Sequence, residues 1–422
     1  MVQRRVAVTG LGLVNPYGGD LDDFFSRLLN GQSAISLFEN DDPAGSLRLP
    51  ALQCQNFDPI ASLGKPLSHT MDRFSQLGAT AAFSAWNDAG LSLENKTERS
   101  DYGLTWGTAV GGVTTYERGY NDLYRGNQRL FTPIAVVMAM NNAAAAHIAI
   151  KLGLAGSCLT YSVACASSSV AIGEAFHAIR SGRASLMLAG GSEAPLAYGV
   201  LRAWAALRIL ASGDADTAHA ASRPFSKDRA GLVLGEGAGA LVIEDWDHAV
   251  ARGARIYAEM VGYGTTCDHN HLVRPKPDGE IEAIRQALAV GDLGIDEIDY
   301  VNAHATATTE GDSAEIAAIK AVFGKYTATL PVSSTKSMHG HLLGAAGAIE
   351  AITTVMALHK HAIPPTAHLE EVDPSCDGVR HITGKPLTDK PLRAALSNSF
   401  AFGGVNAVLA FRKAESSLIH NS

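Results

Sequence analysis

Short apolar runs typical of buried β-strands alternate with helical patterns along most of this chain. Strand-like runs begin near Val6, Tyr102, Ser185 and Ile298, and several of them end in glycine-rich turns. Helical patterns lie between such runs, at 20–29, 74–89, 168–179, 280–290, 312–323 and 344–360. Strands that alternate with helices at this rate predict an α/β protein with buried sheets.

The chain has 422 residues, of which 46% are hydrophobic, so it can bury more than one ordinary domain core. A second cycle of strands and helices begins near Ala251, with a similar rhythm but no strict sequence repeat. We therefore expect an N-terminal half over residues 1–250, a C-terminal half over 251–415 and a short tail over 416–422. The segment 40–58 has little periodicity and is predicted to be mainly loop.

The charge balance argues against a nucleic-acid partner. Thirty-four basic and 42 acidic residues give a net charge of −8, and no dense basic run is visible. Five cysteines are an odd number thinly spread over a long chain, which indicates a reducing compartment rather than a disulfide framework.

The longest apolar stretch, Pro133 to Leu154, contains Asn141, Asn142, His147 and Lys151. These polar residues would be costly inside a bilayer, so a buried or interface helix is expected rather than a membrane span. The apolar run at the N-terminus is too short for a signal peptide. Together these features predict a cytoplasmic protein with no membrane partner.

Cys165 lies where a β-prone run gives way to a helical pattern. Backbone N–H groups and the positive end of a helix dipole at such a position favour a thiolate. A buried structural cysteine is the alternative, and this stretch alone leaves both interpretations open.

Four features of the second half could carry chemistry. They are His304 at a strand end, Lys336 among small polar residues, His341 at the start of a long helix, and the glycine turn after Phe402. Each has an ordinary structural explanation when taken alone. With Cys165, they supply a thiolate that accepts an acyl group and neutral imidazoles that stabilise an enolate oxygen.

The motifs resemble those of the β-ketoacyl-[acyl-carrier-protein] synthases, most closely the type II enzymes with a Cys-His-His centre. They are Val-Ala-Cys-Ala-Ser-Ser around Cys165, Asn-Ala-His-Ala-Thr-Ala-Thr around His304, the run from Lys336 through His341, and Asn-Ser-Phe-Ala-Phe-Gly-Gly-Val-Asn at 398–406. The resemblance extends from Val6 to about Phe411.

The resemblance implies a thiolase-like fold with two similar α/β halves in five αβαβα layers. It also implies a homodimer, or a heterodimer with a related ketosynthase or chain-length factor. The implied reaction is decarboxylative condensation of an acyl group on Cys165 with malonyl-acyl-carrier protein. Acyl groups would arrive on the carrier's phosphopantetheine, with no further cofactor and no metal.

The resemblance also assigns roles to individual residues. His304 and His341 would bind the malonyl thioester oxygen, and Lys336 would support the site with Glu350 nearby. The N–H groups of Cys165 and Phe402 would form an oxyanion hole. Contacts with the phosphopantetheine arm or the acyl group are implied for Thr306, Thr308, Val110, Phe402 and Gly403. Docking of the carrier protein is implied for Lys65, Arg73, Arg202 and Arg208.

Some positions depart from the family pattern. Ala305 and Ala307 stand where glycine and serine are usual, Leu232 replaces a common phenylalanine, and the docking segment has few basic residues. These changes suggest a specialised pathway, such as a polyketide or an unusual fatty acid. A non-elongating acyltransferase is the alternative function.

Two other classes fit less well. A degradative thiolase needs a second catalytic cysteine where Phe402 stands, and a chain-length factor lacks the nucleophile. The cluster Cys267-Asp268-His269-Asn270-His271 has metal-ligand residue types, but the family carries a similar loop without a catalytic metal.

Overall fold

The computed structural model describes residues 3–42, 44–93, 99–125 and 131–414. The predicted tail, 416–422, lies outside these residues. The described residues form fourteen strands: β1 Val6–Val14, β2 Ser36–Asp42, β3 Gly45–Leu52, β4 Tyr102–Gly107, β5 Cys158–Tyr161, β6 Leu186–Glu193, β7 Leu234–Gly235, β8 Gly237–Asp245, β9 Ala258–Cys267, β10 Ile298–Asn302, β11 Pro331–Ser333, β12 Arg380–His381, β13 Ala394–Phe400 and β14 Val405–Lys413.

Helices lie between these strands throughout the described chain. They are α1 Leu21–Leu29, α2 Pro59–Leu63, α3 Lys65–Ser68, α4 Arg73–Asp88, α5 Val113–Tyr124, α6 Ala135–Ala139, α7 Ala143–Leu152, α8 Ser167–Arg180, α9 Tyr198–Ala206, α10 Trp246–Ala251, α11 Pro277–Gly291, α12 Thr309–Phe323, α13 Lys336–His339 and α14 Ala346–Lys360. The predicted helices near residues 20, 74, 168, 280, 312 and 344 are confirmed within a few residues at each end. Asp20 caps α1, where its carboxylate accepts from the N–H of Asp23.

The two halves repeat one strand pattern. In the first half, β4 lies parallel between β5 and β6, and β8 and β1 follow antiparallel. In the second half, β10 lies parallel between β11 and β13, and β14 and β9 follow antiparallel. β1 pairs with β9, so the halves join in one eleven-stranded hydrogen-bonded order that ends at β5 and β12.

Two helices pack between the sheets of the two halves. α8 packs on β4 and β6, α14 packs on β8 and β13, and the two helices contact each other. Ala346 through Leu358 of α14 are all buried, with Glu350 as the charged residue among them. α4 and α7 cover the outer face of the first half, and α11, with α12 beside it, covers the second. This order gives the five layers expected for a thiolase-like fold.

The prediction of a loop over 40–58 is wrong as far as Leu52 and is confirmed for residues 53–58, which lie in no helix or strand. β2 and β3 pair as an antiparallel hairpin from Ser36 opposite Ala51 to Asp42 opposite Gly45. The hairpin is mostly exposed, and only Leu49 to Leu52 at the end of β3 are buried. An exposed hairpin needs no apolar alternation, so its sequence carries little strand signal.

The stretch Pro133 to Leu154 forms two short helices rather than one long one. α6 ends before Met140, whose backbone is extended, and α7 begins after Asn142. Val136, Val137 and Met140 are exposed on the isolated chain. The expectation of a buried helix is therefore wrong for these residues. Within the described residues, no helix has the length and apolar character needed to cross a bilayer.

Candidate active site

Cys165 lies in a tight turn between β5 and α8, as the strand-to-helix pattern predicted. The backbone of Ala164, just before it, has a φ of 50°, a left-handed conformation that is unfavourable for a residue with a side chain. Ser167 stabilises the turn, because its Oγ accepts from the N–H of Val163 and donates to the carbonyl of Ala164. The turn places the sulfur in a buried position facing the second half of the chain.

Burial controls the ionisation of Cys165. It raises the pKa of the thiol to about 11, although the Lys336 ammonium and the N–H groups of Phe402 and Cys165 itself act to lower it. The expectation that the helix start favours a thiolate is therefore wrong for the resting site. A thiol that reacts here must lose its proton to a neighbouring group.

His341 is that neighbour. Its Nε2 lies 2.9 Å from the Sγ of Cys165, and both side chains are buried. Backbone hydrogen bonds to Val233 and from Gly235 hold the residue on both sides. Burial, together with the Lys336 charge, holds the pKa of His341 well below its usual range, so the ring is neutral and can accept a proton.

His304 directly faces His341 across the site. The ring centroids are 5.4 Å apart and nearly perpendicular. The Nζ of Lys336 lies 3.3 Å from the Nδ1 of His304, and an ammonium can only donate, so the ring proton belongs on Nε2. Burial, followed by the Lys336 charge, lowers the pKa of His304 as well. A neutral His304 with a proton on Nε2 is a hydrogen-bond donor toward an oxygen in the site.

Lys336 and Glu350 form a buried ion pair, with each side chain 1% exposed. The lysine is thus no solvated surface charge. Removing one member of such a pair costs about 3–5 kcal/mol, because the other is left buried and uncompensated. The pair holds a positive charge beside His304 without exposing it to water.

A cavity of about 370 Å³ opens over these residues. Cys165, His304 and His341 all line it. Its apolar lining residues include Trp204, Leu207, Ile209, Leu232, Phe400 and Phe402. Its polar and charged lining residues include Asp268, His271, Arg274, Glu280, Thr306, Thr308, Glu310, Glu315 and Asn406. The site therefore offers room for an acyl chain beside hydrogen-bonding groups.

Family models match both halves of the chain. Residues 3–249 match the β-ketoacyl synthase N-terminal domain and residues 257–370 match the C-terminal domain. This chain belongs to the β-ketoacyl synthase family. The synthase is an acyltransferase with a thiolase-like fold.

Curated relatives carry two kinds of name. Nodulation protein E of Rhizobium sp. (strain N33) is 42% identical over 98% of this synthase and 100% of the relative. The 3-oxoacyl-[acyl-carrier-protein] synthase 2 of Synechocystis sp. is 40% identical over 97% and 98% of the two chains.

Solved ketosynthases share the fold. The ishigamide ketosynthase/chain length factor matches with a TM-score of 0.89 and 32% identity, over 98% of this synthase and 100% of that chain. The AntDE:AntF assembly, a type II polyketide synthase acyl-carrier protein in complex with its ketosynthase, matches with a TM-score of 0.88 and 30% identity over the same shares.

The turn after Phe402 completes one side of the synthase site. The N–H of Phe402 points at the Cys165 sulfur, and its ring stacks on Trp204 with centroids 6.1 Å apart. Gly403 has a φ of 88° and donates its N–H to the carbonyl of Leu272 at 2.7 Å. In this conformation Gly403 has no free N–H for a ligand, whereas Gly404 does line the cavity.

Of the other predicted substrate contacts, two line the cavity and one does not. Thr306 and Thr308 both line the cavity, with their hydroxyl oxygens 3.1 Å apart. Val110 does not line it in the isolated chain; its N–H donates to a carboxylate oxygen of Glu193 at 3.2 Å. The structure thus brings the threonines, but not Val110, to the cavity.

The four residues predicted to dock the carrier protein differ in exposure and in their contacts within the chain. Lys65, Arg202 and Arg208 are exposed. Arg73 is instead paired with Glu236 at 2.7 Å and donates to the carbonyl of Cys54. Arg73 thus stabilises the fold through these contacts, while 26% of its side chain remains exposed.

Sequence reasoning missed two carboxylates that hold the site together. Glu193 accepts from the backbone N–H groups of Ala109, Val110 and Gly344, which ties the end of β4 to the turn after His341. Glu315 accepts from the N–H groups that follow β10, including that of His304 at 2.9 Å. A charged residue at the end of a buried strand, or on the buried side of a helix, is the signal that could have found them.

Metal-ligand residue types meet at one place. The ligand atoms of Cys165, His304 and His341 lie within 4.8 Å of one another, the single such group in the described chain. The cluster at 267–271 forms no such group among the described residues, and the Asp268 carboxylate accepts from the Nδ2 of Asn406 and from the N–H of Lys276.

Proposed function

We propose that this synthase takes an acyl group onto Cys165 and condenses it with malonyl-acyl-carrier protein, releasing CO2 and 3-oxoacyl-acyl-carrier protein. The observation that carries the proposal is the 2.9 Å contact between His341 Nε2 and Cys165 Sγ, with His304 facing the same space. This arrangement pairs a nucleophile with a proton acceptor and with a hydrogen-bond donor.

In the first step the Cys165 proton passes to His341 and the sulfur attacks the acyl thioester. The N–H groups of Phe402 and Cys165 stabilise the oxyanion. When the tetrahedral intermediate collapses, the bond to the carrier sulfur breaks, and that sulfur takes the proton from His341. The products are acyl-Cys165 and the free carrier thiol.

In the second step the malonyl thioester oxygen accepts hydrogen bonds from Nε2 of His304 and from Nε2 of His341, whose neutral ring has by then moved its proton from Nδ1 to Nε2. The bond to the malonyl carboxyl group breaks, CO2 leaves, and the electron pair forms an enolate held by the two rings. Its α-carbon attacks the acyl carbonyl carbon, the bond between that carbon and the Cys165 sulfur breaks, and the resulting thiolate takes a proton from water. Lys336 fixes the His304 tautomer that donates, and Glu350 neutralises the buried lysine.

Substrates arrive on the phosphopantetheine arm of an acyl-carrier protein in this proposal. Thr306 and Thr308 offer hydroxyls to the arm, and the exposed Lys65, Arg202 and Arg208 face the carrier. The chain itself supplies the nucleophile, the proton acceptor and the oxyanion donors, so we propose that no further cofactor or metal takes part.

A second ketosynthase chain would complete the assembly. β5 is the last strand at one end of the hydrogen-bonded order, so its outer edge can pair with another strand. Three large apolar residues on β5 or in the segment before it in the chain are exposed: Leu159 on β5, Ile150 on α7, and Met140. We propose a dimer through this surface, with a second copy or a related chain-length factor, and a cytoplasmic location.

One assay separates elongation from the alternative, a non-elongating acyltransferase. The synthase is incubated with acyl- and malonyl-carrier proteins, and the carrier-bound products are identified by mass spectrometry. Elongation predicts a 3-oxoacyl product and CO2, and His304→Ala should keep acyl loading while losing CO2 release. Transfer of the acyl group without CO2 would favour the alternative.

We propose further that this synthase serves a specialised pathway. Relatives named nodulation protein E and 3-oxoacyl-[acyl-carrier-protein] synthase 2 are 42% and 40% identical, so identity does not separate the two. The departures at Leu232, Ala305 and Ala307 support a specialised acyl chain. Full elongation rates on ordinary saturated chains with a housekeeping carrier protein would contradict this.

A further inference from the structure

Some residues that line the cavity are also exposed, and they mark its mouth. Leu272 and Val273 are 74% and 40% exposed, and both line the cavity. Arg274 follows them in the loop between β9 and α11, and it is exposed and lines the cavity too. The reacting cysteine and the two histidines line the same cavity from buried positions. The cavity therefore leads from the reacting groups to a mouth formed in part by this loop.

Hydrogen bonds hold the loop at both ends. At its start, the N–H of Asp268 donates to the carbonyl of Gly404 at 2.8 Å. At its end, the N–H of Lys276 donates to the Asp268 carboxylate at 3.0 Å. These contacts fix the backbone on either side of Arg274.

The side chain of Arg274 is free by comparison. It makes no ion pair and no hydrogen bond within the part of the chain that the structure describes. Lys276, two residues further on, is instead paired with Asp278 at 2.7 Å. Among the described residues that line the cavity, Arg274 alone carries a permanent positive charge.

The other ionisable residues at the cavity do not offer that charge. Glu310, exposed in the first turn of α12, is acidic and would repel an anion. The Nδ1 of His271 accepts from the N–H of Val273 at 3.1 Å, so a neutral His271 ring can donate only through Nε2. Three further carboxyl groups belong to buried residues: Asp268, Glu280 and Glu315. An anion at the mouth therefore finds its charged partner in Arg274.

The proposed substrates bring anions to two different places. The malonyl carboxylate is one carbon away from the thioester carbonyl, so it must enter deeply enough for that carbonyl to reach His304 and His341. The phosphate lies at the far end of the pantetheine arm, where the arm joins the carrier protein. A folded carrier protein cannot enter a cavity of about 370 Å³, so the phosphate stays near the mouth. An arginine presents paired N–H donors that match phosphate oxygens.

We infer that Arg274 binds the phosphate of the phosphopantetheine arm and positions the arm in the cavity. This inference rests on the proposed function. The phosphate is common to the acyl and the malonyl carriers, so Arg274 acts in both steps and does not distinguish the two substrates.

The test compares acyl-phosphopantetheine with acyl-pantetheine, two small thioesters that differ by the phosphate and carry no protein. Acyl loading onto Cys165 is followed by intact mass, which gives kcat/KM for each thioester. The wild type should prefer the phosphorylated thioester about fivefold at low salt, the upper range for an exposed ion pair, and less at high salt. Arg274→Gln should remove this preference, whereas Arg274→Lys, which retains the charge but not the paired donors, should keep part of it.

Lys276→Gln is the matched control, because it removes a positive charge from the same loop at a residue that does not line the cavity. This variant should keep the wild-type preference for the phosphorylated thioester. An unchanged preference in Arg274→Gln, or an equal loss in Lys276→Gln, would overturn the inference.

Two further comparisons exclude other roles for Arg274. Slower CO2 release from malonyl-pantetheine in Arg274→Gln, with loading from acyl-pantetheine unchanged, would assign the residue to the malonyl carboxylate and overturn the inference. An effect seen with acyl-carrier protein but not with acyl-phosphopantetheine would assign it to the carrier surface, with the same consequence. Failure of the proposed function would look different, because the wild type itself would then load no acyl group from either thioester.

Discussion

The Nε2 of His341 lies 2.9 Å from the sulfur of Cys165, although the two residues are 176 positions apart in the chain. Neither group is charged at rest, because burial raises the pKa of the thiol and lowers that of the imidazole. Reaction of Cys165 therefore requires transfer of the thiol proton to His341.

The alkylation rate of Cys165 should report this resting state. With a thiol pKa of about 11, the thiolate fraction rises with pH, and the rate with iodoacetamide should keep increasing from pH 7 to pH 10. Peptide mapping separates Cys165 from the exposed Cys158 and Cys267. A rate that levels off below pH 8 would show that the thiolate is already favoured at rest.

Trp204 should limit the length or bulk of the acyl chain. Trp204 is an aromatic residue that lines the cavity, and its ring stacks on Phe402. Trp204→Ala should shift kcat/KM toward longer or bulkier primers, by about fourfold for each methylene that gains apolar contact. Trp204→Phe keeps an aromatic ring and should shift less. An unchanged order of primer preference would place the acyl chain elsewhere.

Arg208 should bind the carrier protein itself and not its phosphopantetheine arm. Arg208→Glu should raise the KM for acyl-carrier protein several-fold at low salt, with a smaller effect at high salt. The KM for a free pantetheine thioester should not change. Arg285→Glu, an exposed change on α11, serves as the control. Equal effects on carrier-bound and free thioesters would contradict a docking role.

His339 should make stability depend on pH. Its ring is buried between the Thr335 hydroxyl and the Gly340 carbonyl, and burial, aided by the Lys336 charge, lowers its pKa to about 3. Between pH 6.5 and 3 the unfolded chain binds a proton here that the folded chain does not, so stability falls as pH falls. The expected slope is about 1.4 kcal/mol per pH unit for this residue.

Denaturant unfolding at pH 7, 6 and 5 measures that slope. His339→Asn cannot bind the proton and should flatten the dependence relative to the wild type. The other titrating groups are the same in both proteins and cancel in the comparison. Parallel slopes would mean that His339 is not held neutral.

The sequence predicted the features that are local or carried by motifs. The strand-to-helix position of Cys165 follows from a change of period, and His304, Lys336 and His341 stand in distinctive short motifs. The structure brings all four together with Glu350, and Cys165, His304 and His341 line one cavity. The hairpin of β2 and β3 was missed because exposed strands need no apolar alternation.

Properties set by distant contacts could not be predicted. The ionisation of Cys165 depends on burial by both halves, which no short stretch encodes. Arg73 looked available for docking, but its partner Glu236 is 163 residues away.

The most direct test of the account is a two-step mass measurement on the intact synthase. Exposure to acyl-carrier protein should add one acyl group, and peptide mapping should place it on Cys165; Cys165→Ala should gain none. Addition of malonyl-carrier protein should then remove the acyl mass from the protein and return it on the carrier as the 3-oxoacyl product. An acyl group on another residue, or acyl-Cys165 that persists after malonyl addition, would contradict the account.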